Sequence, residues 1–196
     1  MRKIKDVATE VNKQYMIQVD SFEVNVCQEG VGCEDITLSF GENVVINFYA
    51  SYIGAEPLTT MIESLKELEF DDWATYKWFD EPGYITFDIK KDSSSLLSIL
   101  IDYDEDESGR NIHKWHISMP YDIYKQSIIK AVIKALKEYG CNGYNKNWMD
   151  GESAMFMGSL ISILTPSSEY NKEKDIFRSD IKEELMCLLN HLELSE

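Results

Sequence analysis

Residues 84–119 read YITFDIKKDSSSLLSILIDYDEDESGRNIHKWHISM, and this stretch decides the fold. Ile85, Phe87 and Ile89 fall on one face of a strand, because side chains on extended chain alternate with period two. Asp92-Ser93-Ser94-Ser95 is a turn, and Leu96 to Tyr103 is a strand apolar enough to lie centrally. Ser108-Gly109 closes an acidic loop, after which Ile112 to Met119 returns. There Ile112, Lys114, His116 and Ser118 share one face, and His113, Trp115, Ile117 and Met119 share the other. Successive strands joined by short loops predict antiparallel pairing.

Helix signals follow directly. Pro120 and Asp122 open a helix that Gly140 ends, with Ile128/Ile129, Val132/Ile133, Leu136 and Tyr139 as its buried stripe. Lys125, Lys130, Lys134 and Lys137 form its solvent face, and an early aspartate with late lysines suits the helix dipole. Upstream, Tyr15 to Val26 alternates with a phase change near Asp20-Ser21, which predicts a bulge or bend. Ile36–Phe40 and Val44–Ala50 flank the turn Gly41-Glu42-Asn43, giving a three-stranded meander. Pro57 opens a second helix, Leu58–Leu68, with Met61/Ile62 and Leu65 on its apolar stripe. Trp73 to Phe79 then leads to the turn Glu81-Pro82-Gly83.

Beyond Cys141 the pattern changes. Asn142 to Asn147 reads as loop, Ser153 to Leu164 as an apolar segment rich in methionine, and Thr165–Lys174 as a linker. Phe177, Ile181, Leu185, Leu188 and Leu192 are spaced for a closing amphipathic helix. The expected fold class is α+β: an antiparallel sheet of about six or seven strands, helices mainly on one face, and a helical C-terminal segment. One domain is expected, with residues 1–140 forming the sheet and two helices and residues 141–196 packed on the same core.

Charge is the strongest functional signal. The formal net charge is −16, and between Glu63 and Glu107 fourteen carboxylates face four lysines. Such a field repels nucleic-acid phosphates and anionic lipid heads and attracts basic proteins. With 44% hydrophobic residues the chain is expected to fold around a core despite its acid. Met1-Arg2-Lys3-Ile4-Lys5-Asp6 leads into mixed polar residues, without the apolar run of a secretory signal. No apolar stretch is long enough to span a bilayer. These features predict a soluble, cytoplasmic protein with no membrane or nucleic-acid partner.

No catalytic or cofactor motif accompanies the acid. Asp102, Asp104 and Asp106 occupy the first, third and fifth places of an EF-hand loop, but Glu107 replaces the required glycine and His113 the bidentate glutamate. The four cysteines, Cys27, Cys33, Cys141 and Cys187, lack zinc spacing and are expected as thiols, although Cys27 and Cys33 flank a turn. His113, His116 and His191 lack companion ligands. Gly151-Glu152-Ser153-Ala154 departs from a nucleophile elbow, and Gly30-Val31-Gly32 lacks the rest of a phosphate loop. No metal or cofactor is expected.

The surviving candidates are partner-binding residues. They are Asp102, Asp104, Glu105, Asp106 and Glu107, with Asp71, Asp72, Asp80 and Glu81 as a second patch. Trp73 and Trp78 are the candidate aromatic anchors, since aromatics ringed by carboxylates suit the gripping of a basic protein.

From Ile36 to Tyr139 the order is strand, helix, the turn Trp78-Phe79-Asp80-Glu81-Pro82-Gly83, two strands, an acidic loop, a strand bearing Trp115, and a helix. This resembles the small bacterial immunity proteins of polymorphic toxin systems, notably the WapI-type group, which share a phenylalanine-x-glutamate-proline turn in that setting. The resemblance implies a non-catalytic protein that neutralises a cognate toxin by binding it directly, often across the active site of a basic nuclease. Two other readings stand beside it. One is a small enzyme or accessory subunit with a site between the sheet and the C-terminal helices. The other is an adaptor that packs Met149, Met155 and Met157 against a partner.

Overall fold

The computed structural model describes residues 16–30, 33–51, 56–80, 82–106, 109, 112–147, 169–174 and 176–186. The elements are β1 (Ile17–Gln18), β2 (Phe22–Gly30), β3 (Cys33–Phe40), β4 (Val44–Ser51), α1 (Pro57–Phe70), β5 (Trp73–Asp80), β6 (Gly83–Ser93), β7 (Leu96–Asp104), β8 (Ile112–Pro120), α2 (Tyr121–Tyr139), α3 (Cys141–Asn147), β9 (Glu169–Asn171) and β10 (Ile176–Arg178). Residues 181–186 are again helical.

The fold is α+β, but its strands do not form the single antiparallel sheet expected from the alternation. They divide into a five-stranded sheet ordered β1-β8-β7-β6-β5, a three-stranded sheet ordered β2-β3-β4, and the hairpin β9-β10. The larger sheet is mixed, since β1 runs parallel to β8 with Ile17 opposite Ile117. The phase change near Asp20-Ser21 explains the division. The chain bends at Asp20, as expected, and there crosses from the larger sheet to the smaller one. Val19 N–H still donates to Ser118 O (2.9 Å), whereas Phe22 already pairs with Phe40.

The two meanders bury matching faces. In the larger sheet Trp78, Ile85 and Tyr103 form one inward rung, with Tyr76, Phe87, Ile101 and Trp115 as the next. In the smaller sheet Phe22-Phe40-Val44, Val24-Leu38-Ile46 and Val26-Ile36-Phe48 are the inward rungs. The two faces meet through Phe48, whose ring lies 5.8 Å from both Trp78 and Tyr103. Thirty or more side chains share this core, enough apolar burial to drive folding.

Both long helices close the core through polar pins. Trp78 Nε1 donates to Thr60 Oγ1 of α1 (2.8 Å). Tyr124 of α2 meets Ser64 of α1 (3.1 Å) and Tyr76 of β5 (3.3 Å), which satisfies hydroxyls that burial would otherwise strand. The buried face of α2 comprises Tyr121, Tyr124, Ser127, Ile128, Ala131, Ala135 and Tyr139. Ile129 and Ile133, expected in the buried stripe, are exposed among the lysines, because small alanines let α2 lie close against β2.

The C-terminal segment differs most from expectation. The predicted loop at 142–147 is helix α3, and its first two N–H groups, of Cys141 and Asn142, are capped by Glu184 (both 2.8 Å). Residues 169–174 of the predicted linker form β9 and the turn after it, and Phe177 lies in β10 instead of the closing helix. The segment Ser153 to Leu164, with Met149, Met155 and Met157, lies outside the described residues, as do His191, Cys187, Leu188 and Leu192. No helix of the described residues is long and apolar enough to cross a membrane.

Candidate functional site

Antiparallel register brings two acidic turns to one end of the larger sheet. Asp80 ends β5 opposite Gly83, and Tyr84 pairs with Asp104 of β7, so the β5–β6 turn abuts the β7–β8 loop. The approach is close enough to demand glycine: a Cβ on Gly83 would sit 2.4 Å from Asp104 O. Asp80, Asp104, Glu105 and Asp106 therefore cluster although a strand pair separates them in sequence.

Within this cluster the side chains do different work. Tyr103 OH donates to Asp80 Oδ2 (2.7 Å). Burial raises the Asp80 carboxyl above its usual range, Tyr103 offsets part of that, and Glu105 adds to it. Burial and the neighbouring Asp80 push the Tyr103 phenol up, so it stays a donor. Glu105 meets His113 (3.2 Å), and His113 stacks toward Trp115 at 6.0 Å. Asp104 is only 3% exposed. Its carboxylate accepts from Gly109 N (3.0 Å) and Asp106 N (3.5 Å), so it shapes the loop instead of facing a partner. Asp102, on the face of β7 away from Tyr103, pairs with Lys114 (2.5 Å).

The remaining sequence candidates separate. Asp71, Asp72 and Trp73 lie at or just before the far end of β5, whose seven steps from Trp73 to Asp80 span about 23 Å at 3.3 Å per residue, so they do not share a patch with it. They form an exposed turn between α1 and β5. Trp78 is wholly buried, ringed by Phe48, Tyr76 and Phe87. Its even phase on β5 points it inward and corrects its candidacy as an anchor. Glu81 and Glu107 lie outside the described residues.

A second polar cluster, absent from the sequence candidates, lies at the end of the smaller sheet. Beyond three apolar rungs comes Gln28-Glu34-Ala50, roofed by α1 and α3. Glu34 and Glu56 are 0% and 2% exposed. Glu56 caps α1, accepting from Leu58 N (2.7 Å) and Thr59 N (2.6 Å), and also accepts from the Tyr144 hydroxyl. Gln28 Nε2 donates to Glu34 Oε1 (3.3 Å), while Glu34 Oε2 is buried and makes no hydrogen bond among the described residues. Asn147 Nδ2 joins Gln28 Oε1 (2.5 Å) to Phe177 O (2.8 Å), linking the cluster to β10. Burial first, then the adjacent Glu56, holds Glu34 well above the ordinary carboxylate value. Glu56 is raised by burial too, offset by its four hydrogen-bonding contacts. Two buried acids thus sit side by side, and Glu34, which has fewer donors than Glu56, holds its proton more readily. Its signal in the sequence is period two: Gln28 and Glu34 occupy the inward phase of Val26 and Ile36.

No group of three or more histidines, cysteines, aspartates and glutamates among the described residues is arranged to hold a metal ion. Cys27 is exposed, and burial, then Glu184, pushes the Cys141 thiol up to about 11. No family model, no curated protein and no solved structure matches this chain.

Proposed function

We propose that the protein is a non-catalytic, acidic binding protein of the immunity type, acting in the cytoplasm on a basic protein partner. The observation that supports this best is the convergence of Asp80, Glu105 and Asp106 at one end of the larger sheet. Concentrated carboxylate on rigid strands steers a basic partner and raises its association rate. The test pairs the chain with the C-terminal module of a large secreted protein encoded upstream. Coexpression restores growth to cells that the module arrests. Failure to restore growth, together with no complex at micromolar concentration, refutes the reading. Neutralising the end (Asp80→Asn, Glu105→Gln, Asp106→Asn) slows association about tenfold at low salt and less at high salt.

A second reading, a small enzyme or accessory subunit, has one observation in its favour. Glu34, Glu56 and Tyr144 converge between a sheet and the C-terminal segment, where that reading places a site. Both carboxylates are sealed from solvent, so turnover there requires α3 to open. Loss of an activity in Glu34→Gln with the fold intact would support it.

A further inference from the structure

The α1–β5 turn carries the barest aromatics of the described fold. Phe70 is 85% exposed and Trp73 53%, and between them stand the exposed Asp71 and Asp72. Tryptophan is enriched among the residues that anchor protein interfaces, and charged residues rim such anchors. The frame here is rigid. Asp71 N–H closes the helix on Glu67 O (2.8 Å), and Asp72 adopts a left-handed backbone with φ 56°, a conformation that costs a non-glycine residue energy. Lys91 fastens the turn from below. Its N–H donates to Asp72 O (2.8 Å), its ammonium to Leu68 O, and it lies 4.5 Å over the Tyr121 ring.

The charge around this turn is partly unspent. Glu67 and Asp71 make no ion pair among the described residues, and Asp72 approaches Lys91 only to 3.9 Å. Glu69 is engaged by Lys125 (3.0 Å). At the opposite end of the sheet the aromatics are already occupied: Tyr103 donates to Asp80, and His113 lies between Tyr103 and Trp115. That end suits steering, and the Phe70–Trp73 turn suits anchoring.

We propose that the Phe70–Trp73 turn is the anchoring surface for an arginine-bearing segment of a basic protein partner. The inference rests on the basic-partner reading above. A guanidinium can lie flat on an exposed aromatic face while forking onto a carboxylate, which an ammonium cannot do. Trp73 supplies the face, and Asp71 and Asp72 the carboxylates.

The test titrates the intact protein with hexa-arginine and hexa-lysine peptides at physiological salt, following backbone and indole resonances. Hexa-arginine shifts the Trp73 indole and the Asp71 and Asp72 amides, and binds about two- to fivefold more tightly than hexa-lysine. The double variant Phe70→Ala, Trp73→Thr keeps the wild-type melting temperature, since both side chains are exposed, and loses that preference. Equal binding of the two peptides overturns the inference. Shifts confined to residues 102–106, unchanged in the variant, overturn it while leaving the basic-partner reading standing. If neither peptide binds, both fall.

Discussion

Replacing Glu34 by glutamine should stabilise the protein above neutral pH and leave it nearly unchanged in acid. Glu34 is completely buried, has one oxygen with no hydrogen bond among the described residues, and has Glu56 and Tyr144 as neighbours. Its carboxyl is held well above the ordinary value of 4.5, chiefly by burial. A raised acid binds a proton in the folded state that it has lost in the unfolded chain. Stability is then fully present below about pH 4.5 and falls as pH rises toward the folded-state value. The slope for one such group is about 1.4 kcal/mol per pH unit. For a chain of this length that is roughly 3–5 °C in melting temperature per unit. Glutamine mimics the protonated acid: its oxygen still accepts from Gln28, and its amide offers a donor. The Glu34→Gln protein should therefore lose this slope and melt higher than wild type at pH 7.5. Glu56→Gln is the contrasting variant. Glu56 accepts from Leu58 N, Thr59 N and Tyr144 OH with two oxygens, so an amide nitrogen would oppose a donor. That variant should lose about 1–2 kcal/mol at neutral pH. Denaturant unfolding from pH 4.5 to 8.5 reads all three proteins. A flat wild-type profile, or a Glu34→Gln variant weaker than wild type at pH 7.5, would refute the assignment of the proton to Glu34.

Three shorter predictions concern the frame around the sites. Trp78→Phe removes the bond to Thr60 and part of a fully buried ring, costing about 2–4 kcal/mol in chemical denaturation; a loss below 1 kcal/mol would show that the rungs repack freely. Gly143→Ala places a Cβ 2.7 Å from Arg178 Cα, so amide exchange should quicken in α3 and β10 while β5–β8 keep their protection. Asp104→Ala unties Gly109 and Asp106 and should cost about 1–2 kcal/mol of stability. Because Asp104 is buried, the association rate with a basic partner should change less than for Glu105→Gln.

The strands of both meanders and the two long helices are legible in the sequence because each buries one regular face, and a face leaves a period. What period cannot carry is which strands pair. The shift at Asp20-Ser21 records a break, but only Ile117 and Ser118, a hundred residues on, show that it separates two sheets. Helix α3 was invisible for a different reason. Cys141 to Asn147 has glycine, three asparagines and no apolar stripe, and it is helical because Glu184 satisfies its N-terminus and Tyr144 is drawn into the core. In the proposed contact turn, Asp71, Asp72 and Trp73 stand out by composition, whereas Phe70 reads as the last residue of a helix. Register, a property of pairing, joined Asp80 to Glu105 and parted both from Asp71.

The two-residue β1 has a consequence for how the chain acquires its shape. Each meander pairs neighbours and can assemble while the polypeptide is still emerging. Ile17 must wait for Ile117, so the join between the sheets has the greatest sequence separation of any strand pair among the described residues. Such distant closures are slow and come late, once local contacts have shortened the effective loop. Until then Ile17 and Val19 are loose, and the β8 edge at Ile117 and Ser118 stays open to pairing with another chain. Two residues of strand thus act as a clasp that covers the β8 edge once the rest of the sheet has formed.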